Sequence, residues 1–132
     1  MPLHSFIILF CQKIQWYREK NNMTDKIVVL STCGSAEEAE RIARGLLEKK
    51  LAACVNILPA VRSLYRWKGA IEDDQEIFLV IKSSRALFGE LQAEIGRLHS
   101  YEVPEIIAIP IVDGSEGYLG WMAKELGVEQ ES

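Results

Sequence analysis

The sequence predicts an α+β fold, a ferredoxin-like split βαβ sandwich, and three observations lead there. Hydrophobic periodicity runs in the order β-α-β-β-α-β, with one more helix at the C-terminus. The middle of the chain, Ala52 to Ser84, reads as two long strands joined by a tight turn at Lys68-Gly69. The first helical stretch carries a single apolar stripe, as a helix laid on a sheet does. Right-handed βαβ crossovers on that order give one antiparallel sheet with helices on one face.

Residues 1–22, MPLHSFIILFCQKIQWYREKNN, share no pattern with the rest of the chain. The apolar run Phe6 to Cys11 is far too short to span a bilayer. No basic segment precedes it and no small-residue cleavage site comes after it, which argues against a secretory signal. Met23 opens a more ordinary start, so the extension reads as dispensable; a short amphipathic helix packed on the body is the alternative. Residues 23–132 then form a single domain. Lys26 to Cys33 (KIVVLSTC) is a β-branched run bounded by Gly34 and reads as a buried strand. Ser35 and Glu38 have the spacing of a capping box. Ala39, Ile42, Ala43, Leu46 and Leu47 then make the inward stripe of the first helix. Glu37–Arg41 and Glu40–Arg44 are spaced as i,i+4 pairs on its wet face.

The hairpin comes next. Ser63-Leu64-Tyr65-Arg66-Trp67 is β-prone and aromatic, Gly69 supplies turn freedom, and Ile77 to Ile81 is an apolar run expected to be covered on both faces. Pro59 removes a ladder donor and predicts a bulge or an edge position. The arms are roughly twice the usual strand length of about 5–6 residues, so the tip with Tyr65 and Trp67 is expected to project and meet a partner. After Ser83-Ser84, either of which could cap, Leu87, Leu91, Ile95 and Leu98 mark a second helix. It must stop before Pro104. Glu105 to Val112 is expected to be the last strand. Asp113-Gly114-Ser115 turns into a final helix with Tyr118, Leu119, Met122 and Leu126 on one side, ended by Gly127. The sheet face away from the helices would be left open and apolar, so self-association is expected.

The chain has 132 residues, 48% of them hydrophobic, and a net charge of −4. That is enough for one core, and it argues against nucleic acid, which asks for a basic face. The three cysteines, at 11, 33 and 54, make no CxxC or zinc spacing; they read as reduced thiols of a cytoplasmic protein. There is no phosphate loop, HExxH or GxSxG, so no enzyme is indicated. Tyr101, Glu102 and Lys82 could do acid–base work, but no spacing demands it. Of the two histidines, His4 lies in the extension. His99 sits in the segment Leu98-His99-Ser100-Tyr101-Glu102-Val103-Pro104-Glu105, between the second helix and the last strand. Imidazole and thiolate suit copper or zinc; the plain alternative is a loop histidine with no metal role. Cys33 ends the first strand beside a helix N-terminus, a position that lowers thiol pKa. Cys54 reads as a small core residue.

Over about residues 26–126 the chain resembles the CutA1 divalent-cation tolerance proteins. The resemblance rests on Lys50-Leu51-Ala52-Ala53-Cys54-Val55-Asn56, on Ser63 to Gly69, on Glu76 with Lys82, on His99 to Glu105, and on Tyr118-Leu119-Gly120-Trp121. It implies ferredoxin-like protomers in tight homotrimers, similar in architecture to PII signalling proteins. It also implies a cytoplasmic role in tolerance to copper and other divalent cations, with copper binding by some members and no established reaction.

The metal pattern that the resemblance implies carries over in part. Members that bind copper use a cysteine late in the first strand and histidine at the loop. The cysteine position looks like Ser31 here, the first of a histidine pair looks like Leu98, and His99 is kept. Cys33 lies two residues from Ser31 on the same strand face and could substitute. A hydroxyl in place of a thiolate weakens a soft-metal site, so copper binding is expected to be weak. Two classes of function stand open: a metal-binding tolerance factor using His99 and a thiol, and a trimeric small-molecule sensor or scaffold with clefts between protomers. Lys82, Tyr101, Glu105 and Trp67 are the candidate cleft lining. The plain alternatives are that Lys82 ends a strand, Glu105 caps or pairs with it, and Trp67 plugs an interface.

Overall fold

The computed structural model of the protein describes residues 24–129, together with Gln12. The expectations for residues 1–22, including His4 and Cys11, lie outside the described residues. Over residues 24–129, four strands and three helices succeed one another as β1 (Lys26–Cys33), α1 (Ala36–Glu48), β2 (Cys54–Trp67), β3 (Ala70–Ser84), α2 (Phe88–Leu98, entered through a 3-10 turn at Arg85–Leu87), β4 (Ile107–Pro110) and α3 (Glu116–Leu126). The sheet order is β2-β3-β1-β4, all antiparallel, as the split βαβ reading requires.

The period of two along β1 sorts its side chains. Ile27, Val29, Ser31 and Cys33 face the helices and are buried, whereas Val28, Leu30 and Thr32 face the other way and are half-buried. Leu79 and Ile81 of β3 extend the buried side, and Ile42 and Leu46 of α1 with Leu91 and Ile95 of α2 close it. The run Ile77 to Ile81 is therefore covered fully on one face only: Phe78 and Val80, on the other, stay half-buried.

Local signals explain most boundaries. Ser35 caps α1 by accepting from Glu38 N at 3.2 Å. The reciprocal half of the expected capping box does not form, because the Glu38 carboxylate turns to Ser100 instead. Glu40 pairs with Arg44 as expected, but Arg41 donates to the Leu98 carbonyl at the end of α2 rather than to Glu37. Neither Ser83 nor Ser84 caps α2. Their hydroxyls donate to the Leu51 and Asp25 carbonyls and stitch β3 to its neighbours. The Leu58/Val61 register shift falls around Pro59, where a ladder donor is missing. At the hairpin turn both central residues have positive φ, 49° at Lys68 and 81° at Gly69, the type I′ pattern that matches strand twist.

The last strand is shorter than Glu105 to Val112. Pro104 and Pro110 lack donors, and β4 pairs with β1 only from Ile107 to Pro110. Ile111 N still donates to the Lys26 carbonyl at 2.9 Å, so the chain stays beside β1 before it turns. Ser115 then caps α3, and Gly127, with φ 68°, ends it. Leu119, Met122 and Leu126 form a second small core with Ala53. Tyr118, expected among them, instead lies outward, half-exposed.

Candidate functional site

The loop after α2 is the most heavily bonded polar region among the described residues. His99 ends α2, and its side chain is buried. Its Nε2 lies 2.7 Å from the Thr32 carbonyl of β1. Its Nδ1 accepts from the Tyr101 backbone N–H at 3.0 Å. The Thr32 carbonyl can only accept, so Nε2 carries a proton. Glu38 of α1 closes the other side, with Oε1 at 3.2 Å from Nδ1, and it accepts from both the backbone N–H and the hydroxyl of Ser100. Tyr101 then reaches across and donates from its hydroxyl to Glu76 of β3 at 3.0 Å. One histidine thus joins β1, α1 and, through Tyr101, β3.

The antiparallel pairing of β1 with β4 brings the His99 loop to the end of β1, as the strand order predicts. The contact is to a backbone carbonyl and not to a thiol. Cys33 is fully buried, and its thiol donates to the Ser35 carbonyl. The expected activation by the helix N-terminus does not win. Burial pushes the Cys33 thiol up, the Glu38 carboxylate adds to this, and the backbone at Ser35 offsets only part of it. Ser31 is also fully buried, and its hydroxyl has no partner among the described residues. No group of three or more His, Cys, Asp or Glu among the described residues is placed to hold a metal. Of the residues implied for copper, His99 has both ring nitrogens engaged and Cys33 is a fully buried core group.

The cleft candidates are spread apart. Lys82 stands on the open face opposite Cys54, with its Nζ 5.8 Å over the Tyr118 ring. Tyr101 meets Glu76, six residues away along β3, a span of about 20 Å. Trp67, 53% exposed, is at the hairpin tip, and Glu105 is exposed in the loop before β4. One protomer does not bring the four together. Tyr65, also exposed, donates to Asp74, and that hydrogen bond pushes its phenol up to about 12. Cys54, expected in the core, is half-buried on the open face.

Sequence reasoning missed the part played by Glu38, because its spacing from Ser35 already had an explanation. It also missed Thr32, which acts through its backbone. A buried Glu three residues into a helix, opposite a His-Ser-Tyr loop, was the available signal.

No helix among the described residues is long and apolar enough to cross a membrane. The family model described as "CutA1 divalent ion tolerance protein" matches residues 27–125. The divalent-cation tolerance protein CutA of Thermus thermophilus is 46% identical over 100 residues, 76% of this chain and 97% of that protein. The chloroplastic protein CutA of Arabidopsis thaliana is 39% identical over 104 residues, 79% of this chain and 57% of that protein. Among solved structures, CutA from Xylella fastidiosa superposes with a TM-score of 0.76 at 40% identity, over 77% of this chain and 98% of that one. With the βαββαβ order, the sheet topology and the His99 loop all in place, the chain belongs to the CutA1 divalent ion tolerance family.

Proposed function

We propose that the protein serves divalent-cation tolerance as a cytoplasmic homotrimer that binds copper weakly, through His99 with help from a thiol, and catalyses no reaction. His99 carries the weakness. A metal can take an imidazole lone pair only after the Tyr101 N–H or the Thr32 carbonyl gives up its bond, and each net hydrogen bond contributes about 1 kcal/mol. Cys33 must leave the core and lose a proton before it can ligate. Titration of Cu(I) into wild type, His99→Ala and Cys33→Ser tests this. Wild type is expected to lose its copper to a modest chelator, and His99→Ala to bind less still. Equal affinity in all three would remove the site.

The apolar surface supports the trimer. Leu58, Ile107 and Ile109 on the open sheet face, together with Leu64, Trp67 and Ile71 on the arms, are each at least 40% exposed. Surface of that extent calls for a partner. A second reading, a PII-like sensor with a small-molecule cleft between protomers, is favoured by one observation: Lys82 takes part in none of the ion pairs formed among the described residues. With Lys82 and Tyr101 so far apart on β3, such a cleft would draw its lining from more than one protomer. Wild-type protein with no measurable copper affinity, but with retained binding of a small anion that Lys82→Ala abolishes, would favour this reading.

A further inference from the structure

The helix layer stops short of β4, the last strand of the sheet. Ile27 and Val29 of β1 pair with Pro110 and Ala108, so these four side chains share the helix-facing side. Ile27 is buried there, but Ala108 and Pro110 stay exposed. With Phe88 and Arg85 at the entry to α2, Ile27, Ala108 and Pro110 line a notch of about 200 Å³. Pockets that hold small ligands run to roughly 300–1,000 Å³, so this one suits a single large side chain. The chain enters the fold at the rim of the same notch. Thr24 donates from its backbone N–H and from its hydroxyl to the Ile111 carbonyl, at 3.1 and 2.8 Å. The Arg85 N–H donates to the Asp25 carbonyl at 2.8 Å. Residues 1–23 therefore join the body beside Pro110 and Arg85. That stretch carries Phe6-Ile7-Ile8-Leu9-Phe10 and, nearer the body, Ile14, Trp16 and Tyr17. Apolar residues at that density are a liability in water unless something covers them.

We propose that residues 1–22 dock on this notch of their own protomer, with the Trp16 indole seated against Phe88, Ala108, Pro110 and Arg85. Trp16 lies eight residues before Thr24, a reach of up to about 28 Å, so the notch is well within range. A tether that short holds the indole near its seat at an effective concentration on the order of millimolar, and modest contacts then suffice. Trp16 suits the notch better than the phenylalanines further out. Its ring offers the best face for the Arg85 guanidinium, which takes part in none of the ion pairs formed among the described residues. Its N–H can stay at the wet rim while the ring covers the apolar wall. The seat is on the helix side of the sheet, so Leu58, Ile107 and Ile109 on the open face remain free for assembly. The βαββαβ order is complete without residues 1–22, so the contact steadies the body without building it.

The test is photo-crosslinking of the full chain with p-benzoylphenylalanine in place of Trp16, followed by peptide mapping. A cross-link to the peptide holding Phe88 or to the one holding Ala108 and Pro110 is expected. Chains of two isotopic compositions, mixed and reassembled, should show both cross-linked peptides coming from one chain. Ala108→Phe, which fills the notch with its own ring, should abolish the cross-link. Cross-links to the open sheet face, cross-links to another copy, or none at all would overturn the proposal. Melting gives a second readout that stands even if Ala108→Phe fails to fold. Trp16→Ala and a chain starting at Met23 should both melt a few degrees below the full chain, and by a similar amount. A Trp16→Ala chain that melts with the full-length protein would equally overturn it.

Discussion

Tyr101 donates to the buried Glu76 carboxylate, so this phenol holds Glu76 in place. Tyr101→Phe should cost roughly 1–3 kcal/mol in denaturant unfolding, the penalty for orphaning a buried charged acceptor. Burial first, and then Glu76, pushes the Tyr101 phenol from its ordinary 10.0 up to about 12. A raised phenol pKa means that the fold favours the neutral form. The contribution is fully present below pH 10 and is lost as pH rises towards 12. Thermal melts should therefore show a fall across that window that is reduced in Tyr101→Phe. At the acid end, Arg97 and then Lys49 hold the Glu94 carboxyl down at about 2. That contribution is present above the ordinary carboxylate range and disappears as pH falls towards 2. Glu94→Gln should flatten the acid limb of stability against pH. These residue-scale outcomes were partly hidden in the sequence. His99 was legible as the residue that matters, but its main partner is a backbone carbonyl 67 positions away, and residue types do not reveal backbone partners. Cys33 was legible as a strand end beside a helix, yet the inward parity of β1 decided its chemistry.

At the scale of elements, the signals with a local mechanism translated directly. The turn at Lys68-Gly69, the bulge at Pro59 and the cap at Ser35 each involve residues within a few positions of one another. Elements that depend on distant neighbours did not translate as well. Ser83 and Ser84 look like caps, but β3 lies beside Leu51 and Asp25, and those carbonyls take the hydroxyls. The same local logic gives two stability tests. Lys68 holds a left-handed conformation that Asn tolerates better, so Lys68→Asn should raise the melting temperature modestly. Ser115→Ala should lower it by a few degrees, since losing an N-cap of this kind costs about 1 kcal/mol.

At the scale of the whole molecule, the described residues carry exposed apolar surface on the open sheet face and on the hairpin arms. Native mass spectrometry at micromolar concentration should show a trimer, and a stable monomer would refute the assembly. Trp67→Ala should weaken that trimer, because an aromatic anchor at an interface commonly contributes ~2 kcal/mol or more. Residues 1–22 are proposed to be dispensable, since the βαββαβ order is complete without them. A chain starting at Met23 should melt within about 10 °C of the full length.

The strand order β2-β3-β1-β4 also sets a sequence of events in time. β1 ends in the interior of the sheet, and both its neighbours are made later than it is. β2 and β3, joined by a two-residue turn, can zip within microseconds of being released. β1 must wait for Ser84, its partner at Lys26, and then for Ile107 to Pro110 before its second edge is covered. The hairpin is thus expected to form before β1 is enclosed between β3 and β4.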